Sequence, residues 1–158
     1  MKRNMLILLL VLPGFASAFD LPDVRQFFAD FKKAAVSRDV SALKKLIYPF
    51  RDEVEDMQAE LIESILNGDE SRRGDGAFSI RALDSLITKH LDKIQLIDPD
   101  LYTQLSRDRI FGPVLSRFPQ QKIYVMDYRD ARMILLRSDD RLQLFFWENL
   151  NNLLRPTN

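Results

Sequence analysis

The sequence predicts an α+β fold: an N-terminal helical hairpin and further helices packed on a C-terminal curved antiparallel sheet of three or more strands. Two observations carry this expectation. Apolar residues recur at spacings of three and four through the first two-thirds of the chain, as they do in helices with one buried face. The last third switches to runs of β-branched and aromatic residues separated by turn formers. A third observation concerns domain count: there is no repeat, low-complexity tract or Pro/Gly-rich linker that would separate two domains.

The chain opens on Met1-Lys2-Arg3-Asn4, the apolar run Met5 to Leu12, the breaker Pro13-Gly14 and the small residues Ala16-Ser17-Ala18. This order reads as a secretory signal peptide over residues 1–18, cleaved near Ala18-Phe19. The apolar run is far shorter than the roughly 20 residues that span a membrane, so no permanent anchor is expected. The chain has no cysteine, which removes both disulfides and a cysteine-linked lipid. Residues 19–158 are therefore expected to form a single soluble domain that relies on its apolar core, in the periplasm or another secretory space.

Val24, Phe27, Phe28, Phe31 and Ala35 follow Pro22-Asp23 at helical spacing and predict an amphipathic helix over 22–37. Asp39 can cap a second helix carrying Val40, Leu43, Leu46 and Ile47, which should stop before Tyr48-Pro49. Val54, Met57, Leu61 and Ile65 predict a third helix over 52–66 that ends at Asn67-Gly68. Residues 69–76 read as a charged loop and 77–80 as a short strand. A fourth helix carries Leu83, Ile87, His90, Leu91 and Ile94 on one side. Asp98-Pro99 starts a fifth helix with Leu101, Tyr102 and Leu105, broken by Gly112-Pro113.

Three antiparallel strands follow, over 122–128, 131–137 and 142–147, with Ser138-Asp139-Asp140 as a turn. Strict alternation along the last strand would put Leu142, Leu144 and Phe146 on one face and Gln143, Phe145 and Trp147 on the other. Both faces are largely apolar, so at least one should pack against helices. The tail from Asn151 to Asn158 reads as frayed.

The stretch from Phe27-Phe28-Ala29-Asp30-Phe31 through Ser37-Arg38-Asp39 to Ile47-Tyr48-Pro49-Phe50 resembles the opening of small periplasmic proteins of the SnoaL-like, nuclear-transport-factor-like cone superfamily. The apolar spacing from Phe78 through Leu83, Leu86-Ile87 and Ile94 to Leu101 is similar to a helical segment in some of them. The resemblance implies helices wrapped by a curved antiparallel sheet, and a pocket. It implies no activity, because the Asp–His or similar pair of its catalytic members is not placed residue by residue on this sequence.

Charge excludes several function classes. The chain balances 23 basic against 23 acidic residues, and loss of Lys2 and Arg3 leaves 21 against 23, a net charge near −2. Nonspecific nucleic-acid binding needs a surplus of cations that this composition lacks. Nor does it draw the whole protein toward an anionic membrane surface. With one histidine and no cysteine, a zinc site would need carboxylates for most ligands, and no metal or cofactor is expected.

The motifs that could carry chemistry each have a simpler role. His90, the lone histidine, would act as acid or base if it sat in a pocket, although a packed structural histidine is commoner. Ser41-Ala42-Leu43-Lys44 has the Ser-x-x-Lys spacing of some acyl-transfer enzymes but stands where a helix start favours serine. Asp98 with Asp100, and Asp139-Asp140, could mimic paired hydrolase carboxylates, yet capping and turn formation account for them. Arg73-Gly74-Asp75 spells an adhesion tripeptide, a match short enough to arise by chance.

Two clusters remain. Tyr124, Asp127, Tyr128, Arg129, Arg132 and Trp147 lie on or beside adjacent strands. If Tyr124, Tyr128, Arg132 and Trp147 all faced inward, they would form an aromatic wall with one cation for a small acidic or amphipathic ligand. Arg107-Asp108-Arg109-Ile110-Phe111 with Arg117-Phe118 mixes charge and aromatics as protein-contact surfaces do. The expectation is a binding or accessory protein that holds a small ligand or contacts another envelope protein. The rival readings are a small hydrolase or isomerase working from a cone-like pocket through His90, and an inhibitor or immunity protein against an envelope-acting enzyme.

Overall fold

Helix α1 (Leu21–Ser37) forms where the phenylalanine spacing demands it, and Val24, Phe27, Phe28, Phe31, Ala34 and Ala35 make its buried stripe. The computed structural model describes residues 21–50, 57–67, 79–139 and 141–155. The α1 helix ends in a Schellman turn: Asp39 N–H donates to Ala34 O at 2.9 Å and Arg38 N–H to Ala35 O at 3.2 Å, with Arg38 at φ 55°. Asp39 at once caps α2 (Val40–Leu46) by accepting from Ala42 N–H at 2.9 Å. The expected hairpin follows.

Helix α3 (Met57–Leu66) turns Ile62 and Ile65 inward. The signal peptide, the start of the expected third helix and the 69–76 loop with its tripeptide lie outside the described residues. The strand expected at 77–80 is not formed by its described part: Ser79 caps α4 (Ile80–Ser85), accepting from Ala82 N–H at 3.3 Å. Beyond Ser85 the helix widens into a π turn (Leu86–His90), tightens into a 3-10 turn (Leu91–Lys93), and enters β1 (Ile94–Leu96). Ile94, read as helical from its spacing, thus begins a strand.

After β1 come α5 (Pro99–Ser106) and α6 (Gly112–Leu115). The Gly112-Pro113 pair starts α6, whereas the sequence suggested that it only broke α5. A Cβ at Gly112 would lie 2.5 Å from Ser106 O, so only glycine lets the two turns approach this closely.

Strands β2 (Ile123–Tyr128), β3 (Ala131–Ser138) and β4 (Arg141–Glu148) complete an antiparallel sheet of order β1-β2-β3-β4. The short β1 was not expected; it pairs Ile94 with Met126 and Leu96 with Tyr124. The tail is partly built in rather than frayed, since a 3-10 turn over Leu150–Leu154 buries Leu150 and Leu153.

Both sheet faces are covered. Tyr124, Met126, Met133, Leu135 and Leu144 join the α1, α2, α3 and α4 side chains in one core. Val125, Ile134, Leu136 and Phe145 join Leu105 of α5 and Val114 and Leu115 of α6 in a second. Strand β4 serves both through a bulge: Ile134 pairs with Phe146 but Leu135 pairs with Leu144, so Phe145 is an extra residue. The alternation read from sequence therefore fails past Leu144. Phe145 and Phe146 both face the α5/α6 core, and Trp147 returns to the α1 core, edge-on to Phe31 with centroids 6.0 Å apart.

The outer edge of β4 is met by the chain leaving α2. Ile47 bridges Leu144 in parallel, Tyr48 N–H donates to Leu144 O at 2.8 Å, and Gln143 Nε2 donates to Lys45 O at 3.3 Å.

Phe31 is fully buried at the junction of α1 with β4. Phe31→Ala is expected to lower the unfolding free energy by about 3–5 kcal/mol. Val36→Ala, on the same helix but 62% exposed, should stay within about 0.5 kcal/mol. Urea unfolding followed by far-ultraviolet circular dichroism measures both.

Candidate functional site

The π turn decides where His90 points. In a π turn residues five apart stack, and Leu86 and Leu91 are both buried. His90, the last residue of the π turn, is half-buried. Its ring lies 5.2 Å from that of Tyr128 at 37°.

Tyr128 ends β2 and pairs with Ala131, leaving Arg129 and Asp130 as a two-residue hairpin loop. Both loop residues have positive φ, 53° and 61°, the sign that a type I′ turn demands. Neither is glycine; aspartate visits the left-handed region readily, whereas that conformation costs Arg129 about 1–2 kcal/mol. The Arg129 guanidinium lies 5.2 Å from the Tyr128 ring centroid and Lys93 Nζ lies 5.6 Å from it.

These elements border an open cleft of about 410 Å³. One wall is α4 with the π turn, contributing Arg81, Asp84, Ser85, Thr88, Lys89 and His90. The other is the hairpin residue Arg129 and the C-terminal turn with Leu153, Leu154 and Arg155. Two hydrogen bonds tie the walls to the C-terminal turn: Ser85 Oγ donates to Leu153 O at 3.2 Å, and Arg129 Nη1 donates to Arg155 O at 3.0 Å. Thr88 Oγ1 donates to Asp84 O at 2.7 Å, one turn back.

Among the described residues, the basic side chains of Arg81, Lys89, Arg129 and Arg155 thus line the cleft together with one carboxylate. That carboxylate, Asp84, is already engaged by Lys32 of α1, whose Nζ donates to Oδ1 at 2.5 Å. The cleft is a cationic concavity, and cationic forks of this kind bind anions through charge-assisted hydrogen bonds.

The aromatic wall read from the sequence divides. Tyr124, Tyr128 and Trp147 do share the α1 side of the sheet, whereas Arg132 pairs with Asp127 across the β2–β3 ladder and faces the opposite side. The strand periodicity places it there, since Arg132 shares its face with Ile134 and Leu136. Trp147 packs on Phe31, and the void lined by Phe27, Phe28, Phe31, Leu83, Met133, Leu144, Trp147 and Leu150 measures about 10 Å³. That is room for at most one water, and an apolar void this small holds no ligand. Tyr124 is buried, with the Arg137 guanidinium 5.5 Å from its ring centroid; Arg137 Nη2 reaches Asp23 Oδ2 at 3.2 Å. Of the four, Tyr128 touches residues of the cleft, His90 and Arg129.

The remaining motifs resolve as local structure. Ser41 and Lys44 are exposed on α2. Asp98 Oδ1 accepts from Asp100 and Leu101 N–H and so caps α5. Asp139 sits in a left-handed turn, and Asp140 lies outside the described residues. Asp108 Oδ1 accepts from Ile110 and Phe111 N–H, and Phe111 packs on Phe145 and Phe146. Among the described residues no group of three His, Cys, Asp or Glu is placed to hold a metal ion, and no helix is long and apolar enough to cross a membrane.

No family model, curated protein or solved structure matches this chain.

Sequence reasoning singled out His90 and Arg129 but not Arg81, Lys89 or Arg155. Arg81, Ser85, Thr88 and Lys89 do form a polar stripe at helical spacing, which was the available signal.

Arg132 and the cleft lie on different faces of the sheet, and the Arg132–Asp127 pair is solvent-accessible on both sides. Arg132→Ala should therefore cost no more than about 1 kcal/mol of stability in denaturant titrations.

Proposed function

We propose that the mature chain is a secreted, periplasmic binding protein that holds a small acidic ligand in the cationic cleft beside His90. The supporting observation is the convergence of Arg81, Lys89, Arg129 and Arg155 on one concavity with Asp84 already paired outside it. Arg129 adds to the argument, because a backbone strained to present a side chain is a mark of functional positions. The volume, about 410 Å³, falls in the range of small-ligand sites. The secretory assignment is supported by the basic, apolar and small-residue order of residues 1–18.

The geometry gives less support to a hydrolase or isomerase. A cone-type enzyme needs interior space, and the void between α1 and the sheet is about 10 Å³. An acid–base pair around His90 would need a partner, and the Asp84 carboxylate is held by Lys32.

Calorimetric titration of the processed protein with inorganic phosphate at low ionic strength tests the site. Binding is expected, and it should weaken as salt rises from about 10 mM to about 150 mM, because the Debye length shrinks from roughly 30 to 8 Å. Lys89→Ala and Arg155→Ala should each weaken it about tenfold, the effect of losing one charged hydrogen bond. Arg132→Ala should leave it unchanged. Arg129→Asn, which tolerates the left-handed turn, should lose affinity while staying within about 1 kcal/mol of the parent in stability. No binding at low salt, or equal losses in Arg132→Ala, would reject the reading. Native mass spectrometry of protein recovered from its host should show an amino terminus at Phe19 and a retained small acidic adduct; an uncleaved amino terminus would remove the secretory part.

A further inference from the structure

We infer that the ligand of this cleft carries its phosphate on a polyhydroxy body, as a phosphorylated sugar or a phosphoglycerol headgroup does. This rests on the anion-binding reading above and narrows the class of anion. The cations of the cleft are donors only, and an anion accepts from them. The wall formed by α4 and the π turn offers the opposite. Each hydroxyl has one proton, and both are committed to backbone carbonyls: Thr88 to Asp84 O at 2.7 Å and Ser85 to Leu153 O at 3.2 Å.

Toward the cleft those two oxygens can therefore only accept. Asp84 adds acceptor capacity, since Lys32 is held at Oδ1. The cleft thus has a donor region of guanidinium and ammonium groups and an acceptor row of Asp84, Ser85 and Thr88 one helical turn long. A simple anion matches the first and leaves the second to water. A phosphate with hydroxyl groups on adjoining carbons matches both, its oxygens meeting Lys89, Arg129 and Arg155 while its hydroxyls donate to Thr88 and its neighbours.

Titration of the processed protein with glucose 6-phosphate, inorganic phosphate and glucose, beside sedimentation with vesicles of phosphatidylglycerol or phosphatidylcholine, tests the inference. Glucose 6-phosphate is expected to bind about tenfold more tightly than inorganic phosphate, the gain from one or two neutral hydrogen bonds. Thr88→Val, at an exposed position and isosteric with threonine, should erase about three- to tenfold of that difference without changing the affinity for inorganic phosphate. Thr88→Ser should restore it. Selective capture of phosphatidylglycerol vesicles, lost in Thr88→Val, would support the same chemistry with a lipid headgroup as its source. Equal affinity for glucose 6-phosphate and inorganic phosphate, without vesicle binding, would overturn the polyol inference and leave the anion site standing. Failure of every phosphate to bind would remove both.

Discussion

One extra residue in β4 holds the two halves of this protein together. A strand in strict alternation divides its side chains evenly, and the run Leu142 to Trp147 would then send Trp147 and Phe145 to the same side. The bulge at Phe145 breaks that rule. It puts two adjacent phenylalanines into the aromatic group with Tyr48, Phe50 and Phe111, and returns Trp147 to Phe31. Covering the sheet on both faces, with α1 to α4 on one side and α5 and α6 on the other, depends on that shift.

Between α1 and the sheet, the void lined by the described residues Phe27, Phe31 and Trp147 measures about 10 Å³. With α1 closing the sheet, the concavity of interest lies at the rim, where α4, the β2–β3 hairpin and the C-terminal turn meet. The π turn makes the rim possible. It keeps Leu86 and Leu91 inside while freeing His90 and Lys89 to face the cleft, a division that regular α-helix geometry would not give at this spacing. The hairpin contributes Arg129 at the expense of backbone strain, and the C-terminal turn contributes Arg155 because Leu150 and Leu153 anchor it.

How much of this the sequence disclosed depends on whether each feature has a local signal. The α1–α2 hairpin does: phenylalanines at helical spacing and an aspartate able to cap are chemistry within a few residues. The α+β class and the three long strands were legible for the same reason. Strand β1 was hidden because Ile94 also continues the helical spacing of Leu83, Ile87 and Leu91, and three residues cannot show an alternation. The bulge was hidden because every residue from Leu144 to Trp147 is apolar, so no polar position marks the change of phase. His90 was legible as a residue to suspect, but not its surroundings. Arg81, Arg129 and Arg155 come from three separate elements, and only tertiary packing brings them together. The proposed wall of Tyr124, Tyr128, Arg132 and Trp147 failed on Arg132 by simple strand parity, and Trp147 joined Tyr124 and Tyr128 only because of the bulge.

The bridge from Ile47 to Leu144 bears on how this molecule behaves at high concentration. An antiparallel sheet has two outer strands whose free amides can recruit another chain. Here one of them, β4, is met at Leu144 by Tyr48 N–H and beside it by the Gln143–Lys45 contact, while the other, β1, is three residues long. Neither offers the long, flat ladder on which edge-to-edge growth begins. Loss of the α2 exit segment would expose the longer of the two, so a partially unfolded form with the α1–α2 hairpin detached is the species from which sheet-driven aggregation would start.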